Sequence, residues 1–86
     1  MKFGALINPQ TARSETAREL REGTISMAKT VDVAGFDLVM AGQHYLSDFT
    51  QFQLLPFLAR LTGEIDSVEL ATGIIIMPFY HPIEIA

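Results

Sequence analysis

The chain has no cysteine. That excludes a disulfide framework and any thiolate metal site, and it is compatible with a reducing compartment. Basic clusters are missing as well: 6 Lys and Arg stand against 10 Asp and Glu, for a net charge of −4. Phosphate backbones are bound by grouped cations, so this balance speaks against nucleic acid as a partner. Long apolar runs are also lacking. The longest, residues 71–80, is interrupted by Thr72, Gly73 and Pro78 and falls well short of the ~20 apolar residues of a spanning helix. Residues 1–7 are too short an apolar stretch for a signal peptide and lack its cleavage pattern. Together these absences lead us to expect a cytoplasmic protein with no membrane contact. No glycine-rich phosphate fingerprint occurs, because Gly42-Gln43-His44 and Thr72-Gly73 have the wrong spacing. There is no low-complexity tract and no flexible linker.

What is present fits an ordinary globular class: 49% hydrophobic and 19% charged residues. At 86 residues there is room for one small domain with a modest buried fraction. The order of patterns is strand, helix, strand, helix, strand. Residues 2–7 are nearly all apolar, as expected of a parallel strand covered on both faces, and Asn8-Pro9 ends them. Residues 14–34 carry Ala17, Leu20, Ile25, Met27, Ala28, Val31 and Ala34 at helical spacing. Charged residues, Asp32 among them, fill the solvated face. Glu15 and Glu19 suit the positive end of the helix dipole, and Gly35 suits its C-terminal stop.

Residues 36–41 read as the second strand, and residues 42–51 as a polar loop. Residues 53–62 form the second helix, with Leu54, Leu55, Leu58 and Leu61 as its apolar stripe. Pro56 is tolerated only in that helix's first turn, and Gly63 closes it. The third strand is read over residues 68–77, within the stretch 67–77, and Pro82 suits the first position of a third helix. Met27, Met40 and Met77 read most simply as core. Parallel strands need helical crossovers, and repeated β-α units build a parallel sheet with helices outside. Three strands and two helices begin that architecture without closing it, so the expectation is a portion of a larger α/β fold.

Ligands of parallel α/β sheets sit at the carboxyl ends of the strands. That rule selects the loops at 8–13, 42–51 and 78–82, and both histidines lie in them. His44 can act as an acid or base near neutral pH, or it can be a loop histidine bonded to backbone or packed on Tyr45. His81, before Pro82, reads as a residue fixing that turn. Asp48 can bind a polar group, but an exposed turn aspartate is the simpler reading. No short-spaced ligand pattern marks a zinc site. Glycine inside a strand marks a bulge or a close approach, which singles out Gly73, with plain packing as the alternative.

Six segments in order carry a family resemblance: Met1-Lys2-Phe3-Gly4, Ala34-Gly35-Phe36-Asp37, Gly42-Gln43-His44-Tyr45, Leu58-Ala59-Arg60-Leu61-Thr62, Leu70-Ala71-Thr72-Gly73-Ile74 and Met77-Pro78-Phe79-Tyr80-His81-Pro82. Across essentially the whole chain this resembles the bacterial luciferase-like flavin-dependent monooxygenases. The resemblance implies that residues 1–86 are the N-terminal β-α-β-α-β portion of a TIM (β/α)8 barrel, a fold of ~250 residues. It implies reduced FMN and oxygen acting on a small organic substrate, with a flavin reductase as partner and a homo-oligomeric full-length form. Part of the superfamily uses the deazaflavin F420 instead, without oxygen activation. By position, His44 matches the family's active-site histidine, although Gln43 and Tyr45 stand where relatives commonly carry an acidic residue and a second histidine. Thr72, Gly73 and Ile74 match the segment that lies against the flavin ring, where relatives often have a bulge and a cis bond. A cis Gly73–Ile74 bond is therefore implied. The flavin-phosphate residues of the family lie later in the barrel, so the expectation is an enzyme portion inactive alone. A non-catalytic, self-associating module is the alternative, because open sheet edges and uncovered apolar surface invite association.

Overall fold

Thr16 and Glu19 set the start of the first helix. In the computed structural model, which describes residues 1–11 and 15–86, the Thr16 hydroxyl accepts from the Glu19 N–H at 3.2 Å. The Glu19 carboxylate accepts from the Thr16 N–H at 2.7 Å. This reciprocal capping box opens α1 at Ala17–Val33. The start lies inside the expected range; Ser14, like Arg13 of the first loop, falls outside the described residues. Glu15 precedes the helix rather than joining its first turn, and its carboxylate accepts from the Thr11 hydroxyl. The other end closes as the sequence suggests. Gly35 takes φ +80°, Phe36 N–H reaches Val31 C=O, and Gly35 N–H reaches Asp32 C=O. That is the paired bonding of a Schellman stop.

Three strands run parallel in the order β1 (Gly4–Ile7), β3 (Leu38–Ala41), β5 (Glu69–Thr72). Their register aligns Ala5, Val39 and Leu70 in one row and Ile7, Ala41 and Thr72 in another. Alternation sends both rows to the same face. There Val39 and Ala41 are fully buried under α1 and α2 (Leu54–Leu61). One cluster joins them: Ile7, Ile25 and Ala28 on one side, Leu54, Phe57 and Leu61 on the other. Each fully buried leucine or valine there is worth about 1.5–3 kcal/mol. Pro56 sits in the first turn of α2, where its missing N–H costs nothing.

Both helices thus cover the same face, which corrects the expectation of strands covered on both sides. On the opposite face Leu6 is 60% exposed. Its row partners are Met40 and Ala71. Met27 and Met77 are also outside the core, half-exposed on α1 and on the 3₁₀ turn Met77–Phe79. Helical and strand spacing alone cannot tell an inward apolar residue from one on an uncovered face.

Two further corrections concern element limits. The third strand stops at Thr72 instead of extending towards Met77. Its last ladder bond is Gly73 N–H to Ala41 C=O at 2.7 Å, after which the chain leaves the sheet. The loop at 42–51 ends in a strand, β4 (Thr50–Gln51), which pairs antiparallel with β2 (Gln10–Thr11). Asp32 is no solvated-face residue either: its carboxylate binds the segment leading into β5. Pro82 opens α3 (Pro82–Ile85) as expected. Among the described residues no helix is long and apolar enough to cross a membrane.

Candidate functional site

The carboxyl ends of β1, β3 and β5 bring the sequence-selected residues together. Thr72 is the register partner of Ala41, and one residue further on Gly42 and Gly73 touch. A Cβ on Gly42 would come 2.9 Å from the Gly73 carbonyl oxygen and 3.3 Å from Asn8 Oδ1. A Cβ on Gly73 would come 2.9 Å from Met40 Cε and 3.5 Å from Leu6 Cδ1, on the uncovered face. Gly73 is therefore a close-approach glycine. The Gly73–Ile74 peptide bond is cis, and Ile74 is 72% exposed.

His44 follows two residues after Gly42 and is exposed. Its backbone N–H donates to Gln51 Oε1 at 3.1 Å. Its Nδ1 lies 2.9 Å from Gln10 Oε1. Gln43 points the other way and is buried. Its Oε1 accepts from the Leu54 N–H at the start of α2 at 2.9 Å. Its Nε2 donates to the hydroxyls of Tyr45 at 3.1 Å and Tyr80 at 2.9 Å. This one amide ties the loop after β3 to both α2 and the segment after β5. Tyr45 also packs on Phe79, ring centroids 4.2 Å apart. The hydrogen bond to Tyr80, then burial, push the Tyr45 phenol above its ordinary pKa. Tyr45 thus stays a neutral hydroxyl through physiological pH.

His81 does not join this group. It is the N-cap of α3, its Nδ1 accepting from the Ile83 N–H at 3.2 Å, in keeping with a turn-fixing residue. Asp48 is exposed in a bend of the loop after β3. Among the described residues no group of three or more His, Cys, Asp or Glu is placed to hold a metal ion. A hollow of about 470 Å³ lies between α1 and α2, lined by Arg21, Lys29, Arg60 and Glu64 among others. It is a charged surface groove, spanned by the Lys29–Glu64 pair at 2.7 Å and by the Arg60–Glu64 pair. Sequence reasoning passed over Gln10, Gln51 and Tyr80, and noted Gln43 only as standing where relatives carry an acidic residue. The available signal was their position in the segments that follow the carboxyl ends of the parallel strands, which does not separate them from other polar loop residues.

The histidine, the two touching glycines and the uncovered apolar strip lie at the carboxyl edge of a parallel sheet, the edge where α/β proteins as a class place their ligands. The chain belongs to the luciferase-like monooxygenase family, which it matches along residues 1–86. It is 29% identical over 89 residues to the oxygenase component of the flavin-dependent trigonelline monooxygenase of Acinetobacter baylyi. That alignment covers 100% of this chain and 24% of the relative, so the chain spans about a quarter of the length of this curated relative. No solved structure matches the chain.

Proposed function

We propose that residues 1–86 are the N-terminal β-α-β-α-β portion of a (β/α)8 barrel, and that the whole protein is a flavin-dependent monooxygenase of a small organic substrate. The carrying observation is that the loop bearing His44 meets the Gly73-Ile74 segment at the carboxyl edge of the sheet, where a Cβ on Gly42 would come 2.9 Å from the Gly73 carbonyl oxygen. Same-side winding is what a barrel requires of each consecutive β-α unit, since all its helices lie outside the closed sheet; the choice of a barrel rests on the family match. The strip formed by Leu6, Met40, Gly73 and Ile74 fits the ring of a flavin. It is apolar and exposed at Leu6 and Ile74, and it stays low where Gly73 lacks the Cβ that would crowd Met40 and Leu6.

In this reading Thr72, Gly73 and Ile74 lie against the ring, and His44 holds or accepts a proton beside the reacting centre. Reduced FMN, when bound, supplies the electrons for oxygen-dependent oxidation. Because the A. baylyi relative is an oxygenase component, a separate flavin reductase is the partner that fits. A cytoplasmic, homo-oligomeric full-length enzyme completes the reading. The residues present form a partial set of flavin contacts, so the 86-residue stretch alone is inactive. The test is His44→Ala in the full-length protein. Turnover is expected to fall by about 10²-fold or more, the scale of acid–base contributions, while flavin affinity changes much less. Unchanged turnover would reduce His44 to a loop residue.

A further inference from the structure

The β2–β4 ribbon contributes no residue to the fully buried core, yet it holds His44 from two sides. Gln10 and Gln51 are register partners across it. One amide oxygen receives the His44 backbone N–H at 3.1 Å, and the other faces the ring at Nδ1 at 2.9 Å. The ribbon is itself anchored next to the core: Pro9 is fully buried, and its carbonyl accepts from the Phe52 N–H at 2.9 Å. An amide oxygen only accepts, and a neutral imidazole carries its single proton on one nitrogen. A ring that faces Gln10 Oε1 through Nδ1 therefore keeps that proton on Nδ1 and its lone pair on Nε2.

We propose that Gln10 and Gln51 are positioning residues, a paired-amide clamp that fixes the orientation of His44 and its Nδ1–H tautomer. Nε2 is then the ring atom left to take a proton. The catalytic value of the clamp rests on the reading of His44 given above; the clamp itself does not. Two separate loops supply it, Gln10 from beyond β1 and Gln51 from the end of the loop after β3. The ring is therefore set only when both are folded. The clamp orients the ring through neutral oxygens, where a carboxylate would add a charge that favours imidazolium.

The experiment is a long-range ¹⁵N–¹H correlation spectrum of the histidines in the full-length protein, free of and loaded with FMN. His44 is assigned by the signal lost in His44→Ala. At a pH where the ring is neutral, the wild type is expected to show the Nδ1–H pattern. Gln10→Ala is expected to move it to the Nε2–H pattern that free imidazole favours in water. Gln10→Glu, nearly the same size and still an acceptor, is expected to retain Nδ1–H. In turnover, Gln10→Ala and Gln51→Ala are expected to lower kcat between about tenfold and a hundredfold with little change in KM, the scale of a misplaced reacting group. An Nε2–H pattern in the wild type overturns the clamp without any variant. So does an Nδ1–H pattern that survives Gln10→Ala. If the tautomer follows Gln10 while His44→Ala leaves turnover intact, the clamp stands and the reading of His44 fails.

Discussion

Asp32 gathers more hydrogen bonds than a solvated helix face requires. Its carboxylate accepts from the N–H groups of Asp66 at 2.8 Å, Ser67 at 3.1 Å and Val68 at 2.9 Å, and from the Ser67 hydroxyl at 2.8 Å. One side chain thus ties the last turn of α1 to the start of β5. The Asp66 N–H and then the Ser67 hydroxyl pull its pKa down from 3.8 to about 2. A pKa depressed by folding stabilises the protein at pH values above the unfolded value, and that stabilisation is lost as pH falls through the folded one. In urea denaturation of the full-length protein, Asp32→Asn is expected to lower the midpoint at pH 7. The gap from wild type is expected to shrink between about pH 4 and pH 2, following those two pKa values. A gap that stays constant through that window would mean the carboxylate charge is not what holds the turn. At the other end of α1, Thr16→Ala removes the cap hydroxyl, at an expected cost of about 1 kcal/mol.

At the scale of elements, the order β1, α1, β3, α2, β5 was legible because each carries a long-range pattern or a hard stop. Gly35 needed a left-handed backbone and took it; Pro56 needed a first turn and found one. The β2–β4 ribbon was not legible, since two residues cannot display a period of two. Nor was the role of Asp32, whose partners are 34 to 36 residues away. Of the candidate site, His44 and the Thr72-Gly73-Ile74 segment could be picked out, helped by the family resemblance. The glutamines around His44 could not, because their partners are set by loop geometry rather than by spacing.

Two glycines test how much of the site is backbone contact. A Cβ on Gly42 would meet the Gly73 carbonyl oxygen at 2.9 Å, an obstacle that cannot rotate away. Gly42→Ala is therefore expected to cost about 1–3 kcal/mol, in the range of overpacking, and to disturb the Gly73 segment. Gly23, in the middle of α1, has nothing within 4 Å of its would-be Cβ. Gly23→Ala is expected to stabilise by roughly 0.5–1 kcal/mol through helix propensity. Opposite signs in denaturant melts support the contact. Equal, small effects at both positions would remove it.

The whole molecule has one covered face and one open face, and its surface area shows the difference. A globular monomer of 9.5 kDa exposes about 5,000 Å², whereas this chain exposes 5863 Å². The excess, about 800 Å², equals one side of a standard protein interface. The radius of gyration points the same way, at 13.2 Å against about 12 Å for a compact domain of this length. Phe3, Leu6, Ile74, Met77, Phe79 and Ile83 are all more than half exposed, more apolar side chains than solvent tolerates without a partner surface. Produced by itself, the 86-residue stretch is therefore expected to self-associate and to enhance the fluorescence of a hydrophobic dye. The double substitution Leu6→Glu with Ile74→Glu is expected to reverse both effects, because it charges the uncovered strip while leaving the helix-covered core intact. A dye-silent monomer at high concentration would mean that the strip is satisfied within the stretch. The fit to a flavin ring would then lose the open surface on which it depends.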